Sequence, residues 1–443
     1  MRTTHVPVLV VGAGPVGLST AAFLAHWGVD SLVIDKRDPT EAPPRADISP
    51  RTVEIFRSLG MGEELTEAGW RASPPMSTVF KDSGKGNVLH RGDLPPEYAR
   101  RLRTCSPVDS RLSLSQRDIQ LLVLRRLGDR VRLGVRLLDF TMTDLVVTAT
   151  VVDERTGVRE QITADYLIGA DGARSHVRDG LGIAMSDLRA VAHLNTAFYR
   201  ADLGDIVDQW GTTRCFVRNE HVYATIFSKN GRDQWSSHIM DYPGKPGGPS
   251  ELSEEDTIRL LRAAIGDERA SIRLDAVTAW TAAIGIADSF RSGRAFLVGD
   301  AAHVQSSAGG LGMNTGIQDG HNLAWKLAAA LSGKPCFLDT YEPERRAAAE
   351  ASQALSRRLH EAYLDGDSDP STSIAEDYLR AMMFYAYGDT ETDVLVDSVV
   401  VGSRYPHRWL DADQTVSTVD GSGWRVVDGP TLIRPDGIVA WTA

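Results

Sequence analysis

The sequence predicts an α/β fold in which a mostly parallel sheet is interleaved along the chain with a second, antiparallel sheet. Three observations support this. The first 35 residues follow the pattern strand, glycine-rich turn, helix and strand. Two later apolar runs, near 165–168 and 294–298, also lead into turns rich in glycine and aspartate. Residues 181–290 alternate apolar and polar side chains. The chain has 443 residues, enough for two or three domains.

The N-terminal unit has the order of a dinucleotide-binding fold. The apolar run 6–11 is typical of a buried parallel strand and enters the turn Gly12-x-Gly14-x-x-Gly17, after which a helical stretch and a second apolar run end in Asp35. The three glycines allow a tight turn, close approach of a pyrophosphate, and close packing of helix on strand. The carboxylate that follows is suited to accept hydrogen bonds from a ribose. A GxGxxG turn alone is weak evidence, but the complete unit predicts dinucleotide binding.

Two later turns predict further parts of the same site. The run near 165–168 leads into Asp171-Gly172, and the run near 294–298 ends in Gly299-Asp300. The segment 309–314, GGLGMN, then opens a long helical pattern. Strand ends of this kind are where α/β sheets bind ligands, and a helix N-terminus stabilises negative charge. Asp300 is suited to bind a ribose or ribitol hydroxyl. The alternative for 309–314 is an ordinary flexible surface loop.

The alternating region predicts antiparallel strands at 196–200, 222–227 and 235–240. We expect them to form a sheet that binds the substrate. Its candidate pocket residues are Phe198, Phe227, Trp235, His238 and Met240, although each of them could instead belong to an ordinary hydrophobic core.

Composition excludes several classes of function. The formal net charge is −11 and no cluster of basic residues occurs, which argues against nucleic acid or an anionic membrane as the main partner. The three cysteines are widely spaced, and the histidines show neither HxH nor HExxH spacing, so we predict no disulfide framework and no metal site. No leader or membrane-span pattern is evident. We therefore expect a cytoplasmic protein.

Taken together, these motifs resemble the class A flavoprotein monooxygenases, the para-hydroxybenzoate hydroxylase family. The glycine turn, Asp171-Gly172, and Gly299-Asp300 followed by GGLGMN stand in that family's order. Shorter segments resemble the aromatic polyketide and phenol hydroxylase branch: PRA at 44–46, PRTVEIFRSLG at 50–60, LSQRD at 114–118 and NLAWKL at 322–327. The resemblance covers about residues 5–350.

The resemblance implies a Rossmann-like FAD-binding domain of the GR2 type. The residues that it implies for FAD binding are Gly12, Gly14, Pro15, Val16, Gly17, Asp35, Lys36, Arg45, Gln116, Asp171, Gly172, Gly299, Asp300, Gly310, Gly312, Met313 and Asn314. Two of these side chains could instead serve the fold alone. Arg45 could form a surface salt bridge, and Gln116 could be an exposed residue of a helix that Ser115 caps together with Asp118.

The resemblance also implies the reaction. NAD(P)H would reduce FAD, O2 would form a flavin C4a-hydroperoxide, and one oxygen atom would be transferred to a large phenolic or polyketide-like aromatic substrate, as in antibiotic biosynthesis. No catalytic side chain is assigned, and we expect His303 to serve local structure or to line the substrate side. A Baeyer–Villiger or epoxidising enzyme, or a non-catalytic dinucleotide-fold binding module, remains an alternative. A homodimer is possible.

The predicted domains interleave. The FAD-binding domain comprises 1–75, 105–180 and 291–365, the substrate-binding domain 76–104 and 181–290, and a shortened thioredoxin-like extension 366–443. One departure from the family pattern is Ser306-Ser307 before the GGLGMN turn, where relatives usually carry proline. Because proline restricts φ, we expect this loop to be more mobile and reduction to be less tightly coupled to hydroxylation.

Overall fold

The computed structural model describes residues 3–38, 48–71, 77–248, 250–335, 337–365, 372–388, 392–412, 414, 417–419, 423–427, 429 and 431–442. The strands are β1 (Thr3–Val11), β2 (Ser31–Asp35), β3 (Trp70–Arg71), β4 (Thr78–Lys81), β5 (Val88–Gly92), β6 (Leu112–Ser113), β7 (Val131–Leu133), β8 (Val135–Met142), β9 (Val147–Asp153), β10 (Arg159–Gly169), β11 (Met185–Arg200), β12 (Arg214–Arg218), β13 (Tyr223–Ser228), β14 (Gln234–Asp241), β15 (Arg273–Ala287), β16 (Arg291–Ser292), β17 (Ala295–Leu297), β18 (His303–Val304), β19 (Arg425–Val427), β20 (Thr431–Ile433) and β21 (Val439–Trp441). The α-helices are α1 (Pro15–His26), α2 (Pro50–Arg57), α3 (Gly62–Ala68), α4 (Pro96–Thr104), α5 (Gln116–Leu127), α6 (His176–Gly180), α7 (Ile206–Trp210), α8 (Glu254–Ile265), α9 (Gly312–Leu331), α10 (Tyr341–Asp365) and α11 (Thr372–Leu379).

The first sheet has its parallel strands at the centre, in the order β16-β17-β10-β1-β2-β7. In addition, β9 pairs antiparallel with β10, and β8 pairs antiparallel with β9. Residues 8–11 of β1 are buried in one hydrophobic core together with residues of α1 and α9, which explains the uninterrupted apolar run in the sequence. The carboxyl ends of β1, β10 and β17 lie side by side. The three glycine- and aspartate-rich turns therefore meet at one edge of this sheet.

The second sheet is almost entirely antiparallel, in the order β18-β15-β11-β14-β13-β12-β4-β5, and only β12 and β4 pair in parallel. One of its faces packs on α7 and α8 in a core that contains Trp210, Trp235, Leu260 and Leu261. Because side chains alternate along a strand, every second residue points to the other face, where a cavity lies.

The chain passes repeatedly from one sheet to the other. Strands of the first sheet come from residues 3–35, 131–169 and 291–297, and strands of the second come from 78–92, 185–287 and 303–304. This arrangement confirms the predicted α/β class with an interleaved antiparallel sheet. The exact domain limits stay a prediction. Among the described residues, no helix combines the length and the apolar character needed to cross a bilayer.

The C-terminal region forms a small separate antiparallel sheet, β19-β20-β21. It also forms buried ion pairs and hydrogen bonds with α2. Glu54 on α2 is fully buried, and its carboxylate binds Arg51 at 2.7 Å. The same carboxylate accepts hydrogen bonds from two guanidinium nitrogens of Arg404. Arg51 also donates to the carbonyl of Asp436 at 3.0 Å. Residues near the C-terminus are therefore held against α2 by charge as well as by packing. The thioredoxin-like identity of this extension stays a prediction.

Candidate cofactor and substrate site

The turn after β1 leaves no space for side chains at two of its glycines. Gly12 has φ +112°, and a Cβ there would lie 2.3 Å from the carbonyl oxygen of Ala170. A Cβ at Gly17 would lie 1.9 Å from the carbonyl oxygen of Gly12, whereas one at Gly14 would meet nothing within 4 Å. Gly14 directly precedes α1 and provides no side-chain cap, so the first N–H groups of the helix are not capped by a side chain. This geometry suits a pyrophosphate.

The acidic residue after β2 lies directly beside this turn. Asp35 accepts hydrogen bonds from the backbone N–H of Ala13 at 2.8 Å and of Arg37 at 2.9 Å. A carboxylate has about four acceptor positions, so it can still accept hydrogen bonds from a ribose diol. Lys36 is exposed next to it, and the predicted Arg45 lies outside the described residues.

The predicted contacts Pro15 and Val16 occupy the first turn of α1, and the Val16 side chain packs under the next strand end. A Cβ at Gly299 would lie 3.0 Å from Val16 Cγ2, so this glycine allows the close approach. The backbone N–H of Gly299 donates to Asp319 at 2.9 Å. Asp300 follows at the end of β17 and is exposed, on the same edge of the sheet as the glycine turn. This position suits a contact to a ribityl hydroxyl.

The Asp171-Gly172 motif has a structural role in this chain. The carboxylate of Asp171 accepts from Ser175 Oγ at 2.5 Å and from the backbone N–H of Val177 at 3.0 Å, and thereby holds the start of α6. Burial raises the pKa of Asp171 above its ordinary value, although these hydrogen bonds oppose the shift. Gly172 has φ +84°, which favours glycine at that position.

Gln116 begins α5, where Ser115 and Asp118 form the capping box that the sequence indicated. The Gln116 side chain donates to Gln120 Oε1 at 3.3 Å and lines the large cavity described below. Gln120 in turn donates to the carbonyl of Ala13 at 3.4 Å, which links this helix to the glycine turn. The placement is compatible with a contact to the cofactor.

The GGLGMN loop is fixed by one buried asparagine. Asn314 Oδ1 accepts from the backbone N–H of Ser49 at 2.7 Å and from Thr52 Oγ1 at 2.8 Å, and Asn314 Nδ2 donates to the carbonyl of Gly310 at 2.8 Å. Gly309 and Gly310 have φ of +82° and +65°. The helix α9 begins at Gly312 with no side-chain cap, and Met313 is half-buried in its first turn.

An unsatisfied amide marks the place beside this helix start. Both polar atoms of the Gln305 side chain are buried and have no hydrogen-bond partner among the described residues. The side chain lies 3.5 Å from the position of a Cβ on Gly312. A buried unpaired amide is costly, so a polar ligand edge is expected there. No sequence motif singles out Gln305. Together with the two uncapped helices and the glycine turns, it fits the pyrophosphate, ribityl chain and ring edge of FAD.

A cavity of about 380 Å³ lies between the GGLGMN loop and the second sheet. Residues 306–311 and Asn314 form one wall, and the five adjacent strands from β11 to β15 contribute to the opposite wall. Of the predicted substrate residues, four line this cavity: Phe198, Phe227, His238 and Met240. The volume is typical of a site for a small molecule.

Trp235 lies elsewhere. It is on the opposite face of the sheet, where its Nε1 donates to the carbonyl of Ala201 at 2.9 Å and its ring contacts Trp210. The physical reason is the alternation of side chains along β14, since residues 235 and 238 point to opposite faces. The structure therefore places Trp235 in a core and not in the pocket.

Behind the loop lies a buried charged cluster that includes His303. His303 Nε2 hydrogen-bonds Asp319 at 2.7 Å, and Asp319 also accepts from Arg345 Nε at 2.7 Å. Arg345 donates further to the hydroxyl of Tyr387 at 3.1 Å. Burial alone would raise the pKa of Asp319, but its interactions with His303 and Arg345 outweigh burial and hold the pKa below its ordinary value. His303 thus serves local structure and does not line the cavity.

Comparisons with known proteins agree with this geometry. A family model described as an FAD binding domain matches residues 5–356. A putative polyketide hydroxylase from Streptomyces halstedii is 32% identical, over 94% of this chain and 80% of that protein. The tetracenomycin A2 monooxygenase-dioxygenase of Streptomyces glaucescens is 33% identical, over 99% of this chain and 83% of that protein.

Solved structures with the same fold include complexes with cofactor and substrate. A ternary complex of aklavinone-11 hydroxylase with FAD and aklavinone has a TM-score of 0.86 and 28% identity, over 100% of this chain and 96% of that one. The flavin-dependent monooxygenase PieE, in complex with FAD and substrate, has a TM-score of 0.85 and 25% identity, over 99% and 96%. The predicted family, fold and cofactor are confirmed. The chain belongs to the class A flavoprotein monooxygenases, in the aromatic polyketide hydroxylase branch, and is an FAD-dependent aromatic monooxygenase.

Proposed function

We propose that this protein uses NAD(P)H and O2 to hydroxylate a polycyclic aromatic polyketide. The observation that carries the proposal is the cavity of about 380 Å³, because one wall is the loop that suits the flavin ring edge and the other is lined by Phe198, Phe216 and Phe227. A flat aromatic substrate in this space would have the cofactor on one side and the sheet on the other.

We assign the cofactor contacts as follows. Gly12, Gly14 and Gly17 leave room for the pyrophosphate at the start of α1, and Asp35 binds the adenosine ribose. Asp300 binds the ribityl chain. The uncapped start of α9 with Gly312, together with Gln305, meets the polar edge of the ring. When bound, FAD supplies the two-electron chemistry with NAD(P)H and the activation of O2.

The residues of this chain then orient the substrate and exclude water. Phe80, Phe216 and Tyr363 form one connected aromatic group, with ring centroids 5.0 Å apart between the two phenylalanines and 4.6 Å apart between Phe216 and Tyr363. Ordered, packed rings restrict how a planar substrate enters and keep the site apolar. Holding the ring close to the cofactor is the main contribution that we expect from the protein.

Other aspects stay predictions. NADH or NADPH as the donor and a cytoplasmic location are expected, and the acidic composition is the reason that we expect no nucleic-acid partner. A homodimer stays one possible assembly. The individual contacts of each cofactor residue are likewise proposals.

The test is the mass of the product. The FAD-loaded protein is incubated with NAD(P)H and ¹⁸O2 against a panel of hydroxylated anthraquinones and naphthacenequinones, with catalase present to remove free peroxide. We expect a product that gains one labelled oxygen on an aromatic carbon. A labelled lactone as product would instead identify a Baeyer–Villiger enzyme, and a labelled epoxide would identify an epoxidising enzyme. NAD(P)H oxidation with no labelled product across the panel would contradict the proposal.

A further inference from the structure

Three polar side chains stand in a row across the cavity wall that the second sheet forms. Thr196 on β11 pairs directly with His238 on β14, and Trp280 on the neighbouring strand β15 lies beside them. All three side chains line the cavity. Of these residues, only His238 was among the candidates from the sequence, and nothing in the pattern linked it to the other two.

The hydrogen bonds around Thr196 favour one tautomer of His238. An indole N–H can only donate, so Thr196 Oγ1 accepts from Trp280 Nε1 at 2.8 Å. The Thr196 hydroxyl then has one proton to donate, and the acceptor that the described residues offer it is His238 Nδ1, at 2.8 Å. A neutral imidazole whose Nδ1 accepts carries its proton on Nε2. Trp280 and Thr196 therefore favour this tautomer of His238, because in it the Thr196 hydroxyl donates as well as accepts.

His238 stays neutral at working pH. Burial, with a smaller effect from the nearby charge of Lys229, lowers the pKa of His238 to about 4. The ring is held between aromatic neighbours, with its centroid 5.8 Å from Phe227 and 6.0 Å from Trp280. Among the described residues, no side chain or carbonyl accepts from its Nε2. This leaves one oriented N–H donor on the cavity wall.

The charges around the cavity favour a negative ligand. The described lining contains no aspartate and no glutamate. Its other ionisable side chains are Arg111, Arg214, Lys229, His360, Tyr363 and Tyr378, and Arg111 is paired with Asp109, which lies outside the lining. Arg214 forms no ion pair with a carboxylate in the described part of the chain, and it lies near Tyr378, where its charge opposes the rise that burial causes in the pKa of Tyr378. An anionic oxygen is therefore easier to accommodate here than a cation.

We propose that His238 Nε2–H donates a hydrogen bond to an ionised phenol oxygen of the substrate, with Thr196 and Trp280 as positioning residues. The inference rests on the proposed function, since it assumes a polycyclic phenol as substrate. A phenolate is the more electron-rich form of the ring, so holding it ionised favours attack by an electrophilic oxygen. The donor also fixes which edge of the substrate faces the sheet.

The test uses 2-hydroxyanthraquinone, whose visible absorption changes when its phenol ionises, bound to the FAD-loaded protein without NAD(P)H. We expect the bound probe to titrate at lower pH than the free probe. In His238→Leu, the ratio of ionised to protonated bound probe at fixed pH should fall about tenfold relative to the native protein. His238→Gln keeps an N–H donor and should recover part of the effect, and Thr196→Val should lose part of it.

His221→Leu is the matched control, because His221 is exposed in the turn between β12 and β13 of the same sheet. It should leave the ratio unchanged. Equal ionisation of bound probe in the native protein and in His238→Leu would overturn the inference, as would failure of the native protein to bind the probe. This readout needs no oxygenation, so its failure is distinguishable from failure of the proposed function, which the labelled-oxygen assay reports.

Discussion

Replacement of Glu54 by glutamine should greatly weaken the attachment of the C-terminal region to the cofactor unit. Glu54 has no exposed surface, and burial would raise its pKa if the charges of Arg404 and Arg51 did not hold the pKa below its ordinary value. Glutamine keeps the shape of the side chain but removes the charge. Two buried guanidinium groups then lose their shared anion.

The size of the effect follows from the contacts. Glu54 accepts one hydrogen bond from Arg51 and two from Arg404, all of them charge-assisted. Each such bond contributes about 1.5–3 kcal/mol, and glutamine can still accept with one oxygen. Removing one partner of a buried ion pair typically costs about 3–5 kcal/mol. We therefore expect Glu54→Gln to lower the free energy of unfolding by about 3–5 kcal/mol, a large fraction of the about 5–15 kcal/mol typical of a protein domain.

The assay is urea unfolding of the FAD-loaded protein, followed by circular dichroism and by release of flavin. Glu64→Gln is the matched control, because Glu64 forms a partly exposed pair with Arg126 that should contribute less than about 1 kcal/mol. Arg404→Met should resemble Glu54→Gln, and the double variant should lose much less than the two losses added together. A loss below about 1 kcal/mol in Glu54→Gln, equal to that of the control, would refute the reasoning.

Three further predictions concern the cofactor turn, the serine loop and acid stability. Gly17→Ala should abolish both folding and FAD retention, because the added Cβ would lie 1.9 Å from a carbonyl oxygen, whereas Gly14→Ala should fold and lose only FAD affinity. Gel filtration followed by flavin absorbance per protein distinguishes the two variants, and equal FAD retention in both would contradict the prediction. Ser307 has φ −71°, a value that proline adopts, so Ser307→Pro should raise the free energy of unfolding by about 0.4–1 kcal/mol. It should also lower the amount of hydrogen peroxide released per NAD(P)H oxidised. An unchanged peroxide yield would show that this loop does not limit the coupling of reduction to hydroxylation. Burial-compensated carboxyls such as Asp319 have pKa values below the ordinary range, so their contribution to stability is complete above their unfolded pKa of about 4 and is lost as pH falls through the folded pKa. The melting temperature should therefore be flat near pH 6 and fall steeply below about pH 4. In Asp319→Asn this fall should be shallower.

The sequence was most informative where the structure is local. The unit from β1 to Asp35 lies within 35 residues, and two of its glycines, Gly12 and Gly17, stand where the backbone leaves no space for a side chain, so the turn could be predicted directly. The GGLGMN loop was predictable for a similar reason. Gln305 was missed because a single glutamine in a loop has no distinctive pattern, and its importance appears only when both of its polar atoms are seen to lack partners among the described residues.

The substrate wall shows where pattern reasoning went wrong and how it could have been sharper. Trp235 and His238 belong to one strand and differ by an odd number of residues, so alternation alone indicated that both could not face the pocket. To decide which of these two residues points into the pocket, one must know on which face of the sheet α8 packs. The strand pattern does not contain that information. The pair Glu54–Arg404 was out of reach, because its members are 350 residues apart and charged residues normally indicate surface.

Alternation in β11 and β14 has a consequence for how such a protein can change over evolutionary time. Phe198 and His238 face the cavity, while their chain neighbours Tyr199 and Ser237 are buried on the other face and hydrogen-bond each other at 3.1 Å. Positions that face the cavity are therefore separated by the thickness of one sheet from those that keep the sheet folded, and the glycine turns that we propose for the cofactor belong to the other sheet. New substrates can be explored by exchanging side chains on one face of these strands, while the scaffold and the cofactor site stay intact.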